Sequence, residues 1–203
     1  MHHWIWEHHG WPHFTWDEAV LSEYVSAARL AQGQLLGMIR SVDANTTAEL
    51  NSLTLAEQAI NTSAIEGETL NRDSVRSSIA ERLGLDHAGV NPPFDRYIEG
   101  LLDMLTDATK NYNAKLTLDR LYGWHAALFP TGYSGINKIE VGSFRSSGPM
   151  RIVSRLPGKE KVHYEAMPAA MVAENVDKFL GWFNRPHKID GLIRAALRIC
   201  GLN

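Results

Sequence analysis

A single cysteine, Cys200, leaves no partner for an internal disulfide, which suits a reducing compartment. There is no excess of positive charge. Lys and Arg number 20 against 23 Asp and Glu, a formal charge of -3, so nucleic acid, whose phosphates need clustered cations, is not an expected partner. No stretch approaches the roughly 20 apolar residues of a membrane span, and the start, "MHHWIWEHHGWPHF", lacks the basic-then-apolar order of a signal peptide. A membrane is therefore not expected as a partner, and the expected location is the cytoplasm. Internal repeats and low-complexity linkers are also missing. What remains is a chain of 203 residues, 44% of them hydrophobic, long enough to bury a real core.

The first segment carries His2, His3, His8, His9 and His13 among Trp4, Trp6 and Trp11. Their mixed spacing, without cysteines or a carboxylate cluster, does not specify four ligands in a fixed geometry, so no metal is expected. The tryptophans are expected to anchor this arm by burying aromatic area.

Apolar periodicity predicts helices along most of the chain. Thr15 and Glu18 have the form of a capping box. From there Val20, Leu21, Tyr24, Ala27, Ala28, Leu35, Leu36 and Ile39 form a stripe running to about Arg40. A second helix fits Ala48 to Ile65, with Leu50, Leu53, Leu55, Ile60 and Ile65 as its apolar members. A third fits Arg72 to Leu83, before Gly84, followed by a connection containing Pro92 and Pro93. A fourth runs from about Asp95 to Tyr112 on Ile98, Leu101, Leu102 and Leu105. A fifth follows Thr117 and ends at Pro130 and Gly132. Met150 to Ser154 and Lys161 to Tyr164 read as two strands joined by a type II turn at Pro157-Gly158. Pro168 to Phe183 and "DGLIRAALRI" return to helix. The class is mainly α with one β-hairpin.

One short run, "TSAIEGE" at residues 62–68, poses the functional question. Gly67 is a natural helix stop. By residue physics Glu66 is a solvated side chain that the helix dipole mildly disfavours. The run also matches the pattern Ser/Thr-x-x-x-Glu-Gly/Asn, with Thr62, Ser63, Glu66 and Gly67 in its frame, and this pattern marks the inhibitory helix of Fic-family proteins. "WIWEHHGWPHFTWD", "NRDSVRSSIAERLGLD", "GWHAALFPTGYSGINKIEVGSFR" and "SGPMRIVSRLPGKEKVHYEAMPA" resemble that family in the same order. The resemblance implies a Fic/Fido-like helical bundle with one β-hairpin flap. It divides the chain into an N-terminal helical extension at 1–92, with the inhibitory helix at about 48–67, and the N-terminal part of a Fic domain at 93–203, with its flap at about 150–164.

The resemblance further implies transfer of AMP from ATP, with Mg²⁺, to hydroxyl groups of a target protein. Glu66 would pair with an arginine that otherwise holds the γ-phosphate, since a carboxylate and a phosphate offer a guanidinium the same fork. The flap, Met150, Arg151, Ile152 and Val153 opposite Lys161, Val162, His163 and Tyr164, would dock the target backbone as an added strand. The family's catalytic run, His-Pro-Phe-x-Asp/Glu-Gly-Asn-Gly-Arg, occurs nowhere in the 203 residues, which end in "RICGLN". The Fic domain is thus expected to be C-terminally incomplete, inactive alone, without catalytic residues and without a cofactor of its own. "HAALFP" (His125 to Pro130) lacks the glycine-rich continuation, and "DGLIR" (Asp190 to Arg194) reads as helix rather than phosphate loop. Expected partners are a target protein through the flap, a second copy by self-association, or an intact Fic protein. In the last case the chain would be a non-catalytic module supplying Glu66 in trans. A helix-turn-helix reading fails on the acidic balance and the lack of a basic recognition helix.

Overall fold

The structure, a computed structural model, describes residues 4–84, 95–134, 136–146, 148–156 and 159–201. The expected turn at Pro157-Gly158 and the connection through Pro92-Pro93 lie outside these residues. Mainly helical throughout, the chain forms two compact units: Met1–Ala28 with Lys115–Leu118 and Ser143–Asn203, and Arg29–Ala114 with Asp119–Gly142.

Helix α1, Glu18–Arg40, runs from one set of residues into the other. Its cap is not the expected Thr15: Asp17 Oδ1 accepts from the backbone N–H of Ala19 and Val20 at 2.8 and 3.2 Å. Both residue types are strong caps, and the nearer one sets the start. The expected apolar stripe has no fully buried member; Leu21 is half-buried, while Val20, Tyr24, Leu35, Leu36 and Ile39 are exposed.

The core of the second unit lies where α2 (Ala44–Ile65), α3 (Arg72–Leu83) and α4 (Arg96–Lys110) pack together. Asp43 caps α2, accepting from Asn45 N and Thr46 N, both at 3.0 Å, so α2 begins four residues before the expected Ala48. Its buried face is Ala56, Ala59, Ile60 and Ser63, at helical spacing. Of the expected apolar members, Leu50, Leu53 and Ile65 are exposed; the small alanines go inside because they allow close helix approach. Val75 and Ile79 of α3 and Ile98, Leu101 and Leu102 of α4 complete the cluster, the latter three as the spacing predicts. Asn71 and Asp95 cap α3 and α4, and Gly84 ends α3 at φ +64°.

Helix α5 is Leu118–Leu128, and it crosses α4 at Gly100, which lies against Ala127. Beyond it is a two-residue ladder that the sequence reading did not include, β1 (Tyr133–Ser134) paired with β2 (Asn137–Lys138).

In the first unit, β3 (Arg151–Leu156) and β4 (Lys159–Glu165) form an antiparallel hairpin, longer than expected on both strands and beginning after Met150. Helices α6 (Ala169–Phe183) and α7 (Gly191–Gly201) follow. Phe179, buried, packs on Trp182 and Phe183. The Asn184 amide ties α6 to the 115–118 segment, accepting from Leu116 N at 2.9 Å and donating to Leu116 O at 2.8 Å.

Candidate functional site

Two places hold the residues singled out by sequence. The first is the end of α2. Gly67, at φ +84°, adopts the left-handed conformation that side chains resist. Around it the Gly67 N–H donates to Ala64 O at 3.1 Å and the Glu68 N–H to Ser63 O at 2.9 Å, the bond pair of a Schellman motif. The glycine of "TSAIEG" therefore has a backbone reason. Glu66 is the C-cap residue. It is exposed, and among the described residues its carboxylate has no hydrogen-bond or ion-pair partner. Thr62 is exposed too, whereas Ser63 is 2% exposed and its hydroxyl has no partner among the described residues. The helix end thus presents the Glu66 carboxylate, and that of Glu68 just beyond the turn, without a partner among the described residues, with Ile65 83% exposed beside Glu66 in sequence. Such a carboxylate can take a guanidinium in a two-bond fork.

The second place is the β3–β4 hairpin. Its register pairs Ile152 with Tyr164, Val153 with Val162 and Ser154 with Lys161. His163 is the extra residue of a bulge between the first two pairs, and bulges of this kind bend and twist a ribbon. His163 Nε2 lies 2.9 Å from Ser154 Oγ. The base of the hairpin is pinned by Arg151 to Glu165 at 2.8 Å and by the Ala166 N–H donating to Met150 O at 2.9 Å. The N-terminal arm holds it as well. Trp4 meets Tyr164 edge-on at 5.7 Å, and Trp6 Nε1 donates to Glu165 O at 2.8 Å, so Trp4 and Trp6 anchor the arm as expected. Each strand has one neighbour in this sheet, which leaves a strand edge on either side. Ile152 and Met150 are exposed there.

Thr62, Ser63, Glu66 and Gly67 belong to one compact unit and the hairpin residues to the other. His125 has a structural place: its Nδ1 accepts from Gly142 N at 3.2 Å and its ring meets Phe129. Asp190 accepts from Leu192 N at 2.7 Å at the start of α7, so "DGLIR" is a helix start and no loop. Among the described residues no three of His, Cys, Asp or Glu are grouped to hold a metal, and no helix is long and apolar enough to cross a membrane.

Sequence reasoning missed a polar network in the second unit. Asp107 Oδ2 accepts from Arg120 Nε at 2.6 Å and Trp124 Nε1 at 2.8 Å, and its other oxygen accepts from Asn111 Nδ2 at 2.7 Å. The Asn111 and Arg120 hydrogen bonds pull the carboxyl down from 3.8 to about 2. The Arg120 guanidinium also lies 5.0 Å from the Trp124 ring centre. Arg120 and Trp124 sit four apart on α5, a signal the sequence did carry, but the acid comes from α4.

A family model described as a domain of unknown function (DUF4172) matches residues 4–85. The matched span holds the aromatic arm, α1, α2 with Glu66, and α3. No curated protein matches the chain.

Proposed function

We propose that this chain carries the regulatory and target-docking parts of a Fic-type protein adenylyltransferase. The observation that carries the reading is the end of α2, where a Schellman turn holds Glu66 as an exposed, unpartnered carboxylate. A plug for an arginine needs a rigid base and a free fork, and Glu66 has both. The hairpin supports the docking half, because it offers unpaired strand edges with exposed apolar residues to an extended peptide. AMP transfer itself requires a histidine base and a phosphate loop that are not among these 203 residues.

The test joins the chain to the His-Pro-Phe and Gly-Asn-Gly-Arg region of a Fic protein and follows self-labelling with labelled ATP. Glu66→Gly is expected to raise labelling roughly tenfold or more, the value of one charge-assisted bond pair. Equal labelling with and without the change overturns the inhibitory role.

The exposed position of Glu66 at the end of α2 also fits a second arrangement, in which Glu66 acts in trans on an intact Fic enzyme. Adding the purified chain to such an enzyme, with its own inhibitory glutamate removed, should lower labelling, and the Glu66→Gly chain should not. No effect of either chain dismisses this arrangement.

A further inference from the structure

The corner between α6 and α7 holds two arginines, while the acid of that connection, Asp190, caps α7 through Leu192 N. Arg194 and Arg198 stand four residues apart on α7 and so share one face. Neither is ion-paired with a carboxylate among the described residues.

Arg194 is fixed in place. Its Nη2 donates to Phe183 O at 2.6 Å and Arg185 O at 3.0 Å, which holds the guanidinium at the carbonyl end of α6, where the helix dipole favours a cation. Arg198 lies with its guanidinium carbon 3.8 Å from the centre of the Phe183 ring, a cation stacked on an aromatic face. Both Nε–H groups are shielded from solvent and have no acceptor among the described residues. Buried donors in folded proteins are almost always satisfied, so each orphan needs an explanation. Burial, and then the neighbouring Arg194 charge, push Arg198 down from the usual guanidinium value, in keeping with two like charges crowded into one partly dry place.

We propose that the α6–α7 corner binds a phosphate-type oxyanion between the guanidinium groups of Arg194 and Arg198. One ligand on the partly exposed guanidinium groups then offsets two charges that have no ion-pair partner among the described residues, and a small shift of either side chain brings its orphan Nε–H to an oxygen of that ligand. A phosphate suits the pair better than a carboxylate, because it can carry two negative charges and presents acceptor oxygens in several directions. The same connection carries Arg185 and Lys188, both exposed, against the single acid Asp190, so its charge balance is positive. The donors are side chains throughout, since the backbone at Asp190–Arg194 is a capped helix start and cradles nothing. This site is separate from the Glu66 reading and does not depend on it.

The test is titration calorimetry of the whole chain with inorganic phosphate, O-phosphoserine and acetate at matched ionic strength. Saturable binding of phosphate or O-phosphoserine is expected, at least tenfold tighter than acetate, and the tighter of the two identifies a free ion or a phosphate ester as the source. Arg198→Gln should weaken it at least tenfold. Arg198→Lys, which keeps a charge but loses the planar fork, should fall between the two. Circular dichroism establishes that each variant is folded. No saturable heat in the wild-type chain overturns the proposal without any variant. So does acetate binding equally well, or Arg198→Gln binding phosphate like wild type.

Discussion

Gly100 lies so close to α5 that a Cβ added to it would stand 1.8 Å from the Ala127 carbonyl oxygen and 2.6 Å from the carbonyl carbon. The α4–α5 crossing is set by that approach of backbone to backbone. Gly100→Ala must therefore separate the two helices or bend one of them, and it is expected to destabilise the chain by about 1–3 kcal/mol. Gly33→Ala is the control: Gly33 is helical with open space around it, so the same change there should stabilise by up to about 1 kcal/mol. Denaturant melts of the two variants check both signs.

Gly67 separates backbone need from side-chain role at the end of α2. Nothing lies within 4 Å of a Cβ built there, yet its φ is +84°, so Gly67→Ala meets a conformational penalty alone, about 1–2 kcal/mol. Glu66→Gly breaks no ion pair among the described residues and should stay within about 1 kcal/mol of wild type. Equilibrium unfolding of both variants tests the ordering. A larger loss for Glu66→Gly than for Gly67→Ala would mean that the carboxylate holds the fold.

Asp107 gives the second unit an acid-sensitive contact. Its folded value of about 2 lies below its ordinary 3.8, so the charged form is the stabilised one. That stability is fully present above about pH 4 and is lost as pH falls from about 4 toward 2. Asp107→Asn should accordingly melt lower than wild type near neutral pH, with the gap closing over that acid range. Thermal melts across the range provide the measurement, and a gap independent of pH removes Asp107 from the account.

The aromatic arm supplies a further test, independent of α2. Trp6→Phe keeps most of the buried ring but deletes the donor to Glu165 O, and should cost about 1 kcal/mol, the net worth of one such bond. Limited proteolysis within residues 4–17 should then become faster than in wild type, while the α2–α4 core resists equally in both.

Helix positions were largely legible from sequence, because caps and glycine stops act within a few residues. Gly84 ends α3 where its own chemistry predicts, and the run Ile98, Leu101, Leu102 announced the buried face of α4. The same local rules placed Gly67 at the end of α2, and Trp4 and Trp6 as anchors. The exact starts differ, however: Asp17 rather than Thr15 accepts from the first-turn N–H groups of α1, and Asp43 does so for α2, four residues ahead of the expected start.

Which faces are buried was decided by tertiary structure. Leu50, Leu53 and Ile65 outrank Ala56 and Ala59 in hydrophobicity, yet the alanines are inside, because α2 meets α3 and α4 closely and small side chains fit that approach. Gly100 owes its place to the same closeness, which no periodicity records. The Asp107 network joins side chains from α4 and α5, and the Arg194–Arg198 corner depends on carbonyls and a ring that α6 brings beside α7. Residue types and their spacing determined the helices and the "TSAIEG" turn by local chemistry. The packing faces, the perturbed acid and the setting of Arg194 and Arg198 needed the fold, because each is made by atoms brought together from different elements.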